Sequence, residues 1–231
     1  MKRFILLTIV PLFFVNAAIA RDFSAGADLV SSYVWRGLHL SGTSIQPSLG
    51  FSAGNFSIGA WGSMPVADFQ SYKEFDLSIS YQVAGFSIGI NDYWIPNDSS
   101  SYFNYDKNKG TAHTFEASVG YTLPIEKFPL SLSWNTNFAG FDGTKSNGKT
   151  AWSSYFELSY PFTVKEVALS ASLGLSPWET DYYNAPGFSV INISLKATKE
   201  IKLGGFALPV WVQTILNPRA ENVFLVLGIS L

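Results

Sequence analysis

The sequence predicts an all-β fold: a closed antiparallel up-and-down transmembrane β-barrel of about twelve strands. Three observations predict it. Short segments alternate apolar with small polar residues, the period-two signature of strands with two different faces. The connections between them alternate between tight turns and longer polar loops, as in outer-membrane barrels. The composition is 16% aromatic and only 14% charged, with 19 Gly and 7 Trp, against about a quarter charged in soluble domains. No segment after residue 20 offers the roughly 18 uninterrupted apolar residues of a helical span, whereas a barrel strand needs only about 9–11.

Residues 1–20 read as a secretory signal peptide, with the barrel domain at 21–231. Lys2 and Arg3 form a positive start, Phe4 to Val15 an apolar core interrupted by Pro11, and Ala18-Ile19-Ala20 a small-residue cleavage site. Without Lys2 and Arg3, the 15 basic residues fall to 13 against 17 acidic, a mild negative balance that does not suggest nucleic acid as a partner. The chain has 0 Cys, which excludes lipidation at a lipobox, disulfides and thiolate metal sites.

The strands then follow in order. They are expected at 24–35, 44–53, 55–63, 74–84, 86–95, 113–123, 129–138, 152–160, 166–176, 188–198, 206–216 and 221–231. In 74–84, Phe75, Leu77, Ile79, Tyr81 and Val83 share one face, and Glu74, Asp76, Ser78, Ser80 and Gln82 the other. The same split places Phe115, Ala117, Val119 and Tyr121 against Glu116, Ser118, Gly120 and Thr122. Gly54-Asn55, Gly85, Pro124–Phe128, Pro161–Lys165 and Lys199–Gly205 are turn-sized. Arg36–Thr43, Met64–Lys73, Pro96–Ala112, Ala139–Ala151 and Pro177–Gly187 are longer and polar, while Asn217–Ala220 is short. The longest connector, 96–112, is the one expected to fold over or into the mouth.

Alternation alone also fits a soluble sandwich or lipocalin-like barrel. A soluble exterior would carry many Lys and Glu. Here the polar faces carry Ser, Gly, Asn and Thr, which suit a crowded lumen. Trp35, Trp61, Trp94, Trp152 and Trp178 fall where a strand meets a long loop, and Tyr81, Phe86, Tyr121, Phe128, Tyr160 and Phe206 near the tight turns. Amphipathic rings favour membrane–water interfaces, so these sets form two expected girdles. The even strand count puts both termini at the tight-turn end. The last strand alternates through Val223, Leu225, Leu227, Ile229 and Leu231.

Asp28-Leu29-Val30-Ser31-Ser32-Tyr33-Val34-Trp35-Arg36-Gly37 resembles the opening strand of the TorF-family porins, a poorly characterised family. There, an S-x-Y-x-[FW]-R-G strand precedes a polar loop and a strand with Gln and Pro. The matching continuation is Ile45-Gln46-Pro47-Ser48-Leu49-Gly50-Phe51, then Ile58-Gly59-Ala60-Trp61-Gly62-Ser63 and Glu74-Phe75-Asp76-Leu77. The resemblance covers about the first third of the chain after residue 20. It implies an outer-membrane barrel with a channel role and no established catalytic residues.

If the apolar faces meet lipid, Asp28, Arg36, Glu74, Asp76, Glu116, Glu157 and Lys196 line the lumen. Five acids against two bases would favour cations; the same groups could equally pair with one another in a packed interior. Arg36 sits at the mouth, as a constriction residue for anions or a salt-bridged loop anchor. Only His39 and His113 exist, with no G-x-S-x-G elbow, so no catalytic site, metal site or cofactor is expected. The reading is an outer-membrane channel for passive diffusion of small hydrophilic solutes. Its other expected partners are outer-membrane lipid and, during biogenesis, the barrel-assembly machinery. The rivals are a closed structural or adhesion barrel and a lipid-modifying enzyme.

Overall fold

A computed structural model describes residues 21–96 and 101–231. The expected signal peptide at 1–20 lies outside the described residues. Twelve strands form a closed antiparallel barrel: β1 (Arg21–Val30), β4 (Ser44–Ala53), β5 (Phe56–Pro65), β6 (Glu74–Val83), β7 (Phe86–Trp94), β8 (His113–Thr122), β9 (Ser131–Gly140), β10 (Ser154–Val164), β11 (Val167–Ser176), β12 (Ser189–Leu203), β13 (Phe206–Asn217) and β14 (Asn222–Ser230). Chain neighbours are sheet neighbours throughout, and β14 returns to β1. A separate two-stranded sheet joins β2 (Tyr33–Trp35) to β3 (Leu38–Ser41). The described residues contain one 3-10 turn and no α-helix.

Alternation sets the facing. Outward positions are apolar and exposed, among them Ile88 at 57% and Leu225 at 65%; inward Asn135 is 8% exposed and Glu116 0%. That inverts the pattern of a water-soluble protein, where large apolar side chains go inside. Inward rows are built from small residues in cross-strand pairs. Gly59 sits against Ser78, Gly89 against Ser118 and Gly120 against Ser87. A Cβ at each of these glycines would press on the partner hydroxyl, so each glycine leaves room for the serine on the neighbouring strand. At the tight-turn end Ala84 and Gly85 both take positive φ (49° and 84°), the mirror-image turn whose twist suits a two-residue hairpin.

The first expected strand, 24–35, divides. The wall strand ends at Val30, and the chain bends at Ser31-Ser32. The β1–β4 register, with Val30 opposite Ser44, carries on to Tyr33 opposite Ser41, then slips by one residue to Trp35 opposite Leu38. The β2–β3 sheet is therefore the outer third of the first hairpin, folded out of the wall and into the lumen. Its turn is Arg36-Gly37, with φ of 50° and 80°.

Two apolar clusters receive it. Tyr155, Tyr183, Ala185 and Ile191 pack against Trp35 and Leu38. Val30, Ile215 and Val226 pack against Val34.

The connector after β7, expected at the mouth, goes elsewhere. Phe75, Trp94 and His113 share an outward row, and Tyr102 packs its ring against all three. The described part of this loop thus lies on the outer wall of β6–β8. His113 fixes it: Nδ1 meets Asp92 Oδ1 at 2.7 Å, and Nε2 donates to the Tyr102 carbonyl at 2.5 Å. It is the shorter first hairpin that fills the mouth.

Candidate functional site

The site is built around the hairpin tip. Two consecutive positive-φ residues reverse the chain there, and Gly37 lies so close to the Ile191 carbonyl that a Cβ would collide with it. Asn217 Nδ2 donates to the Gly37 carbonyl at 3.1 Å, tying the tip to β13. This places the Arg36 guanidinium inside the barrel, among Glu116, Tyr183 and Tyr155.

Arg36 makes a fork with Glu116 on β8: Nη1 to Oε2 at 2.5 Å and Nη2 to Oε1 at 3.0 Å. Nη1 also donates to Tyr183 Oη at 2.7 Å, and Tyr93 Oη donates to Glu116 Oε1 at 2.8 Å. The guanidinium carbon sits 4.4 Å from the ring centres of both Trp35 and Tyr155, within cation–π range. Burial opposes the Arg36 charge, but Tyr183, Glu116 and Tyr93 outweigh it and hold the pKa well above its ordinary value. Tyr183, from the loop between β11 and β12, is fully buried, and that burial raises its hydroxyl pKa.

Two further groups flank the tip. Tyr33 Oη donates to Glu74 Oε2 at 2.7 Å, with its ring on Trp61 and Tyr72. Asp76 Oδ1 is buried beside them without a hydrogen-bond partner. Nearer the tight-turn end, Lys196 Nζ stands 3.9 Å over the Trp211 ring. Trp211 in turn lies against Gly228, and Tyr155 against Gly174. A glycine on the neighbouring strand lets each ring lie flat on the wall and offer a face to a cation. Tyr155 Oη donates to Glu157 Oε2 at 2.6 Å and accepts from Asn192.

Of the residues expected inside, the structure brings Arg36 and Glu116 into direct contact. Glu74 and Asp76 lie side by side on the inner face of β6. Glu157 is held by Tyr155, Lys196 faces Trp211, and Asp28 stands on the inner row opposite Gln46 and Ser230. Among the girdle tryptophans, Trp94, Trp152 and Trp178 face outward, with Trp178 packed on Trp134.

Trp35 and Trp61 do not join that outer ring. Trp35 leaves the wall with the hairpin and packs on Tyr93 and Tyr183; Trp61 shares the inner row with Asp76. Tyr93, Tyr155 and Trp211 also belong to the site, and charge alone does not mark them. The parity that places Glu157 inside places Tyr155 there too. Tyr183 comes from a loop, where no periodicity marks it.

The loop carrying Tyr182 and Tyr183 is held from outside. Asp181 accepts from the Thr144 amide (2.6 Å) and hydroxyl (2.7 Å), and Glu179 from the Ser146 amide at 2.6 Å. Trp178 Nε1 donates to the Ala151 carbonyl.

Fold and site together define a β-barrel with an apolar exterior, a polar lumen and an internal hairpin seated on a buried ion pair. A family model described as "Bacterial protein of unknown function (Gcw_chp)" matches residues 15–220, and the chain belongs to that family. No curated protein matches the sequence. Among solved structures, the COG4313 outer membrane channel from Pseudomonas putida F1 is similar at 11% identity and TM-score 0.45, over 96% of this chain and 98% of that one. Salmonella typhi OmpF, in complex with daunomycin, is similar at 9% identity and TM-score 0.38, over 91% and 96%.

Proposed function

We propose that this protein is a porin-like barrel of the bacterial outer membrane that passes small hydrophilic solutes passively, with the Arg36 hairpin setting the narrowest point. The facing of the wall carries the reading: a continuous apolar exterior around twelve strands encloses rows of Ser, Gly and Asn. Such an exterior matches hydrocarbon, and such an interior matches water. The resemblance of the opening segment to the TorF-family porins supports the same reading, as does a secretory signal at 1–20. Lipid is then the partner of the outer face, the barrel-assembly machinery that of the nascent chain.

The tip also supports a second reading, a barrel closed at its mouth, because Arg36, Tyr183 and Trp35 meet across the lumen. One experiment separates the two. Refolded protein in a planar bilayer should give discrete conductance steps, and its vesicles should swell in small sugars. Replacing residues 32–42 by a short Gly-Ser turn should enlarge both. Absence of conductance in both proteins would sink the channel reading.

A further inference from the structure

β14 is paired on both sides only over part of its length. It meets β13 from Asn222 to Ile229 but β1 only at Gly228–Ser230. Backbone bonds between Ala27 and Leu231, and from the Ser31 amide to the Leu227 carbonyl at 2.8 Å, extend that seam to Leu227. Beyond it, among the described residues, no strand pairs with Asn222–Val226 on the β1 side. A strand edge left this way presents unpaired amides and carbonyls to whatever can reach it.

We propose that residues 32–36 have a second seat on this edge, in the wall, and that the hairpin exchanges between it and the lumen. The register identifies the occupant. Positions 27, 29 and 31 stand opposite 231, 229 and 227; the next partners in the same phase are Tyr33 with Leu225 and Trp35 with Val223. Each would exchange two backbone hydrogen bonds, as Ala27 and Leu231 do. Facing agrees as well. Odd residues of β1 point outward, so Tyr33 and Trp35 would join the outward aromatic rows, and Arg36 would remain inward at the rim.

The hinge is built for such a change. The Leu227 amide is taken at 2.9 Å by the Ser31 hydroxyl, standing in for the carbonyl a continuing strand would offer. That carbonyl instead accepts from Thr43 Oγ1 at 3.3 Å, and Ser32 Oγ donates to the Ser41 carbonyl at 3.2 Å. Side-chain hydroxyls thus patch the ladder on both strands at the bend. On the lumen side, His39 stacks on Phe224 with ring centres 5.9 Å apart, keeping the folded hairpin against the inner face of the strand whose edge it has vacated. The existence of the wall seat is independent of the channel reading; the consequence that the exchange opens the lumen rests on it.

The chain contains no cysteine, so paired cysteines report the two seats without background. Tyr33→Cys with Leu225→Cys, and separately Trp35→Cys with Val223→Cys, would cross-link only in the wall seat. His39→Cys with Phe224→Cys would cross-link in the lumen seat. In vesicles under mild oxidation, all three pairs should form, and Ser31→Val should raise the yield of the wall pairs at least several-fold relative to the lumen pair. Failure of both wall pairs while the lumen pair goes to completion overturns the proposal. Conductance is read separately on the same proteins. Wall-locked barrels should conduct more than lumen-locked ones, reversibly on reduction. If the wall links form and conductance stays absent, the second seat stands and the channel reading falls.

Discussion

The Arg36–Glu116 pair brings two opposite buried charges together inside the barrel. Glu116 is fully buried and is held by the Arg36 guanidinium and the Tyr93 hydroxyl. Removing one member of a buried pair leaves the other charge uncompensated, typically costing about 3–5 kcal/mol, whereas replacing both by apolar groups is often near neutral. Arg36→Ala should therefore lower the unfolding free energy of the vesicle-embedded barrel, read by urea titration, by a few kcal/mol. Arg36→Met combined with Glu116→Met should recover most of that loss, and a double-mutant cycle reads the coupling. Gly37 offers a second check. Gly37 and Gly110 both have positive φ, 80° and 68°, so alanine at either costs about 1–2 kcal/mol of backbone strain. Only Gly37 has a carbonyl where the Cβ would go. Gly37→Ala should destabilise clearly more than Gly110→Ala and should also unseat the tip, visible as increased conductance.

At the scale of elements, period-two alternation located the wall. Eleven of the expected strands lie within a few residues of those observed, except that β12 runs on to Leu203. Alternation reports which faces differ, and it is silent on where a strand leaves the sheet. In residues 24–35 the odd positions Ala25, Ala27, Leu29, Tyr33 and Trp35 stay apolar on either side of Ser31, so the parity runs on through the bend at Ser31-Ser32, where side-chain hydroxyls patch the ladder. Nearness to a long loop puts both Trp35 and Trp61 on the expected girdle, but Trp35 leaves the wall at the bend and Trp61 shares the inward parity of Gly59 and Ser63. Loop residues such as Tyr183 enter the site through loop–loop bonds that no periodicity encodes. Those bonds are testable. Glu179 accepts from the Ser146 amide and hydroxyl, and these bonds hold its pKa below the ordinary 4.5. A lowered carboxylate pKa means the bond is present above the ordinary value and is lost as pH falls through the lowered one. The Ser146 amide proton shift should stay constant from neutral pH down past 4.5 and move only below it. In Glu179→Gln that acid transition should disappear.

For the whole molecule, one assignment underlies everything else, the inside and outside of the wall. A soluble barrel and a membrane barrel share strands, register and closure, and differ in which face carries the exposed apolar area. Here the two faces of β6 are distinguished by adjacent residues. Leu77 is outward, 40% exposed, in a row with Phe75 and Ile79. Ser78 is inward, across from Gly59 on β5 and Asn91 on β7. In a bilayer, an outward position at mid-strand meets hydrocarbon, where a thiol stays protonated and a charged reagent does not enter. An inward one meets whatever water the lumen holds. Ser78→Cys in vesicles should react with a charged, water-borne thiol reagent, and Leu77→Cys should not until detergent dissolves the bilayer. In detergent-free buffer, the purified barrel should precipitate because of its apolar exterior. If Leu77→Cys reacts first in vesicles, the facing is reversed and the lumen, the ion pair and the hairpin site must be reassigned together. If both react equally, the exterior is not in lipid, and the apolar rows must be covered by protein instead.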